Sequence, residues 1–156
     1  MSKIALVTDS TAYLPQDLLN QYTITVCPQI LIWDQDTYLD GIDIKPIEFS
    51  QRLKTTKIMP SSSQVSIPSF KTAFGNLLDQ GYEVLAVLLS SKLSGTIDSA
   101  VQARIDFPRA PIEIVDSTTT GLELGLHVLA AARAAEACSR YVTTSRRCAT
   151  GAVRRG

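Results

Sequence analysis

The run Val84–Leu89 constrains this chain more than any other feature, because it is aliphatic at every position with no polar alternation. A strand apolar on both sides must be covered on both sides, which is the habit of parallel sheets flanked by helices. Lys3–Val7 is a second short aliphatic run and Pro111–Val115 reads as another strand, and each runs into polar turn residues, Thr8–Thr11 and Asp116-Ser117. Between such runs the apolar period switches to a helical one. Pro15 opens a short helix. Pro46–Thr55 is a second, with Ile47, Phe49 and Leu53 as its expected core residues. Ser66 reads as an N-cap and Pro68 as a first-turn proline of a helix that runs to about Gln80 and ends at Gly81. Ile97, Ala100, Val101 and Ile105 mark a fourth helix, and Thr118–Cys138 a long fifth one rich in Ala and Leu. Thr23–Trp33 reads as a strand in which Pro28 signals an edge or a bend, with Tyr38–Gly41 as a short return strand after the turn chemistry of Asp34–Gly41. The expected fold class is α/β, a three-layer α/β/α arrangement around a mostly parallel sheet.

Charge divides the chain unevenly. Its 156 residues hold 15 Lys+Arg and 15 Asp+Glu, for a net charge of zero. All the acids lie within residues 1–138, whereas residues 139–156 carry Arg140, Arg146, Arg147, Arg154 and Arg155 and no acid. Residues 1–138 therefore read as the folded domain. Residues 139–156 read as a basic tail, either disordered or a non-native end of the kind that an out-of-frame GC-rich gene encodes. A genuine basic tail that binds an acidic partner or membrane surface is the alternative.

Several function classes find no support. No apolar run approaches the roughly 20 residues that span a bilayer. No signal-peptide core follows the first residues, so a cytoplasmic location is expected. The three cysteines are odd in number; Cys27 suits a buried thiol, and Cys138 and Cys148 lack zinc-ligand spacing. The chain has no phosphate loop, no Gly-x-Gly-x-x-Gly and no Gly-x-Ser-x-Gly, so no cofactor is expected. Asp34, Asp36, Asp40 and Asp43 flank a turn and read as solvated rather than metal-binding. Nucleic-acid binding is not expected either, since the basic residues sit in the tail with only Tyr141 beside them. The single histidine, His127, lies in the aliphatic helix and reads as structural, and Gly121 and Gly125 at that helix's start read as close packing.

In parallel sheets ligands sit beyond the carboxyl ends of the strands. Three hydroxyl-rich loops follow strand ends here and are expected on one rim: Thr8–Thr11, Ser90–Thr96 and Asp116–Thr120. Ser94 and Thr96 offer hydroxyls at a helix start that attracts anions, and Gly95 allows close approach to the backbone. Asp98, one turn in, disfavours a highly charged anion, so a carboxylate fits better than a triphosphate. Simple helix capping by Ser94 or Thr96 is the competing reading. Ser61-Ser62-Ser63-Gln64 is either an ordinary connector or a second set of hydroxyls reaching the same carboxylate.

Five segments in order, Val7-Thr8-Asp9-Ser10-Thr11-Ala12, Tyr38-Leu39-Asp40-Gly41, Pro60-Ser61-Ser62-Ser63-Gln64, Leu93-Ser94-Gly95-Thr96 and Val115-Asp116-Ser117, resemble the DegV family of bacterial fatty-acid-binding proteins. The resemblance implies a non-catalytic cytoplasmic carrier that holds one long-chain fatty acid in a tunnel between two α/β domains. This chain would be the amino-terminal domain, with the second domain absent. By motif position Ser62 and Ser94 would hold the carboxylate, with the Gly95 amide as helper and Ser63 and Thr96 adjoining. Some family members present that carboxylate to a separate fatty acid kinase that uses ATP. The missing domain would supply basic and imidazole side chains, so this chain would hold part of the site, bind lipid weakly or not at all alone, and self-associate through its exposed tunnel wall. From another class, a small serine-dependent hydrolase or transferase would need a base beside Ser91 or Ser94, and only Lys92 or the distant His127 could serve.

Overall fold

A computed structural model describes residues 3–152, with side chains described through Ala137. In chain order its elements are β1 (Lys3–Asp9), α1 (Gln16–Gln21), β2 (Ile24–Cys27), β3 (Ile30–Trp33), β4 (Asp36–Leu39), α2 (Pro46–Thr55), β5 (Ser61–Ser63), α3 (Ile67–Asp79), β6 (Tyr82–Leu88), α4 (Thr96–Arg104), β7 (Ile112–Asp116) and α5 (Gly121–Ala152). Four strands form a wholly parallel sheet in the order β2-β1-β6-β7. Leu6 is the cross-strand partner of both Ile24 and Leu85.

The apolar strands are covered on both faces, as their lack of alternation requires. On one face Ala5, Val7, Val84, Ala86 and Leu88 pack with Phe70, Phe74 and Leu77 of α3 and Ala100 and Ala103 of α4. On the other, Leu6, Ile24, Val87 and Leu89 meet Leu124, Val128 and Ala132 of α5, with Leu14 and Leu19 alongside. Burying each large side chain of this kind is worth about 1.5–3 kcal/mol. The helix α5 lies close to the turn after β1. A Cβ on Gly125 would stand 2.5 Å from the Ala12 carbonyl oxygen, so only glycine fits that position.

Four expectations are corrected. The single strand expected over Thr23–Trp33 breaks at Pro28-Gln29, where proline's missing N–H cannot continue the ladder. β3 leaves the parallel sheet and pairs antiparallel with β4 across a two-residue turn in which Asp34 has φ 60°. The loop expected over Met59–Ser66 contains β5, which joins the other edge of β3 and completes a small antiparallel sheet, β4-β3-β5. Ile47 is 75% exposed rather than core. The helix α2 docks instead through Phe49, edge-on to the buried Trp33 at 5.3 Å, and through Arg52, whose guanidinium lies 4.5 Å over the same indole. In α4 the buried face is Thr96, Ser99, Ala100 and Ala103, while Val101 and Ile105 face solvent. Small residues at helical spacing let α4 approach α3 closely, and that packing outweighs the larger apolar side chains one position on.

The fifth helix begins at Gly121 and extends past the expected end at Cys138 to Ala152. The side chains of the basic tail, with Cys138 and Cys148 among them, and its last residues lie outside the described residues. No helix among the described residues is long and apolar enough to cross a membrane.

Candidate functional site

The carboxyl ends of β1 and β6 meet through Asp9, which is fully buried. Its carboxylate accepts the Leu89 N–H at 2.9 Å and the Thr11 N–H at 3.0 Å, and the Thr11 hydroxyl as well. The chain after β6 is thereby held against the turn after β1. Residues 90–95 cross the rim, and α4 starts at Thr96.

The hydroxyls at that helix start have different roles. Thr96 is fully buried and lies outside the lining of the adjoining cleft. Its Oγ1 accepts from Gln29 Nε2 at 3.1 Å and from the Val65 N–H at 3.4 Å, which fills both lone pairs. Its one proton reaches either Ser94 Oγ, 3.0 Å away, or Gln29 Oε1, 3.5 Å away, and either hydroxyl of the Ser94–Thr96 pair can be the donor. Ser94 Oγ also accepts the Thr96 N–H at 3.3 Å. The half-buried Ser94 lines the cleft, and with Thr96 as the donor of the pair its own O–H is left for an acceptor there. The N-cap of α4 is Gly95, without a side-chain cap, so neither Ser94 nor Thr96 takes the expected N-cap position.

Beside this pair runs a cleft of about 700 Å³, within the roughly 300–1,000 Å³ of small-molecule sites. Ile30, Leu31, Phe49, Leu89 and Leu93 supply apolar wall, and Ser62, Ser63, Ser94 and Gly95 supply polar groups. The strand β5 brings Ser62 and Ser63 opposite Leu31 and Ile30, and neither hydroxyl has a hydrogen-bond partner among the described residues. Gly95 has an ordinary φ of −75°, so no backbone constraint demands glycine there. Its open face is covered instead by Gln64, which a Cβ at position 95 would meet at 3.3 Å. The Gly95 amide stands at the first turn of α4, where N–H groups lack intrahelical acceptors. Among the described residues, Asp40 is the one charged side chain in the lining.

The third expected rim loop does not join the cleft. Asp116 is exposed and accepts the Ser91 hydroxyl at 2.6 Å and the Thr118 N–H at 2.8 Å, and these donors, Ser91 first, hold its carboxyl below the usual range. Ser91 is thus engaged by an acid rather than a base. His127 is exposed on α5, outside the cleft lining. Among the described residues neither Ser62 nor Ser94 has an imidazole or ammonium as a hydrogen-bond partner. Burial and the nearby Asp9 push the Cys27 thiol up to about 12 against the pull of a Ser69 hydrogen bond, so it carries no reactive thiolate.

Ser62, Ser63, Ser94 and Gly95 are thus brought together, and Thr96 supports them from below. Thr11, in the rim loop expected over Thr8–Thr11, joins the lining, but sequence reasoning missed Tyr13 there and Gln29, the buried amide bonded to Thr96. A polar residue directly after Pro28 in an otherwise apolar run was the available signal.

A family model described as an uncharacterised protein, DegV family, matches residues 3–142. Among curated relatives, a DegV domain-containing protein of Caldanaerobacter subterraneus subsp. tengcongensis is 44% identical over 135 residues, covering 86% of this chain and 48% of its own length. One from Deinococcus radiodurans is 35% identical over 147 residues, covering 92% and 52%. The solved structure of a fatty-acid-binding DegV family protein from Thermus thermophilus matches with a TM-score of 0.78 at 35% identity, over 86% of this chain and 48% of that one. DegV of Bacillus subtilis, described as a fatty acid binding protein, matches with a TM-score of 0.76 at 32% identity, over 85% and 47%. The chain spans about half the length of the curated relatives it matches.

Proposed function

Because this chain belongs to the DegV family, we propose that its cleft receives the carboxylate end of a long-chain fatty acid, held by the Ser94 and Ser62 hydroxyls with Ser63 and the Gly95 amide adjoining. Thr96 positions Ser94 and does not touch the ligand. The observation that carries this reading is the convergence of the Ser62, Ser63 and Ser94 hydroxyls on one cleft, beside the apolar wall of Ile30, Leu31, Phe49, Leu89 and Leu93. A carboxylate taken from water needs such donors, and charge-assisted hydrogen bonds are about twice as strong as neutral ones. The lone charge in the lining, Asp40, disfavours a polyanion. The fatty-acid-binding relatives from Thermus thermophilus and Bacillus subtilis support the same ligand class.

Residues 1–138 form a DegV-type amino-terminal domain and residues 139–156 an appended tail. The complete protein is a non-catalytic cytoplasmic carrier that presents its ligand's carboxylate to a separate fatty acid kinase. Acyl phosphate formed from carrier-bound stearic acid, ATP and that kinase would support presentation, and its absence would overturn it. Alone, this chain binds weakly or not at all, since its relatives build on about twice the length. Exposed apolar side chains, Leu93, Ile42 and Ile47 among them, support self-association, which light scattering checks; a clean monomer at high concentration contradicts it.

Native mass spectrometry of a full-length relative carrying the same Leu-Ser-Gly-Thr and Ser-Gln motifs, with added stearic acid, tests the core reading through Ser94→Ala and Ser62→Ala at the matching positions. A stearate adduct sharply weakened by the substitutions is expected. An adduct unchanged by both would overturn it.

A further inference from the structure

Glycine at position 95 has no backbone reason, since its φ of −75° suits any residue. What it makes room for is the side chain of Gln64. From the place that a Cβ on Gly95 would take, Gln64 Cδ and Nε2 lie at 3.3 Å and Oε1 at 3.5 Å. Three amide atoms at nearly one distance mean that the amide lies face-on over the bare side of Gly95, with its donor and acceptor edges turned sideways. Neither edge has a hydrogen-bond partner among the described residues, and the exposed side chain lines the cleft together with Ser62, Ser63 and Ser94. The next residue, Val65, is fully buried and donates its N–H at 3.4 Å to Thr96 Oγ1, which is itself 3.0 Å from Ser94 Oγ. That contact ties the segment carrying Gln64 to the turn carrying Ser94.

We propose that Gln64 is a further ligand-binding residue, its side-chain amide donating an N–H to the carboxylate that Ser94 and Ser62 receive, and that Gly95 is bare so that this amide can lie over the first turn of α4. This rests on the fatty-acid reading above. A primary amide brings two N–H donors and no charge. A carboxylate leaving water has several lone pairs to satisfy, and two serine hydroxyls supply one proton each. The seat on Gly95 holds the amide beside Ser94 without using either of its edges, so both N–H groups stay available.

The test is calorimetry with stearic acid on a full-length relative carrying the same Leu-Ser-Gly-Thr and Ser-Gln motifs, with substitutions at the matching positions. Gln64→Ala is expected to weaken binding about tenfold. Gly95→Ala pushes the amide off its seat and is expected to cost about as much, with the double substitution no worse than Gln64→Ala alone. Gln64→Glu separates contact from packing. It keeps the shape, and an acid suits a helix N-terminus, so a packing role would tolerate it better than alanine. A ligand carboxylate is repelled by it, so binding weaker than in Gln64→Ala is the expected order. The reverse order, or additive losses from Gly95→Ala and Gln64→Ala, overturns the proposal. Unchanged binding in Gln64→Ala, with Ser94→Ala still weakened, overturns the role of Gln64 and leaves the fatty-acid site standing. Unchanged binding in Gln64→Ala, Ser94→Ala and Ser62→Ala alike overturns both.

Discussion

Ser94→Ala is expected to weaken stearic acid binding roughly 10- to 100-fold, the worth of a hydrogen bond to a charged acceptor. The substitution removes a hydroxyl that lines the cleft, and it also removes the hydroxyl partner of Thr96 and the acceptor of its amide. Ser62→Ala separates the two effects, because the Ser62 hydroxyl has no hydrogen-bond partner among the described residues and its loss costs the fold little. Its expected effect on binding is of similar sign and about tenfold. Titration calorimetry on this chain, and on a full-length relative carrying the same Leu-Ser-Gly-Thr and Ser-Gln motifs, measures both. If neither substitution lowers affinity in either protein, the carboxylate is held elsewhere.

Asp9→Ala is expected to produce the largest loss of stability of any polar substitution on the rim, about 3 kcal/mol. Two backbone N–H groups, of Leu89 and Thr11, depend on that carboxylate, and an orphaned buried donor costs roughly 1–3 kcal/mol. For a chain of this size the melting temperature should fall by about 10 °C. Asp9→Asn keeps one accepting oxygen and places an amide NH₂ where the other was, so it should lose part of that stability. Urea unfolding followed by circular dichroism compares the three proteins. A loss under about 1 kcal/mol for Asp9→Ala would mean that the ends of β1 and β6 hold together without the carboxylate. Since the same bonds hold residues 90–95 against the turn after β1, binding should fall with stability.

The parallel three-layer architecture was legible because its causes are local. Unbroken aliphatic runs at Lys3–Val7 and Val84–Leu89 demand cover on both sides wherever they are placed, and Pro28 announced a break in its strand without saying where the next residues would go. The Ser94-Gly95-Thr96 turn was legible for the same reason, since a strand end followed by a helix start is a pattern along the chain. Helical period alone misjudged Ile47, Val101 and Ile105. It defines a face, but the neighbour decides which face is covered, and α4 turned its small residues to α3.

Which hydroxyl meets a ligand and which stays inside is a different kind of question. Thr96 and Ser94 are two residues apart and chemically alike, and nothing in their spacing separates a buried support from an outward donor. Gln29 and the Val65 amide, 67 and 31 residues away along the chain, bind Thr96 Oγ1 inside the fold, while Ser94 lines the cleft. That division is set by which distant donors converge on one oxygen. Only the folding of β3 and β5 over the end of the parallel sheet brings them there.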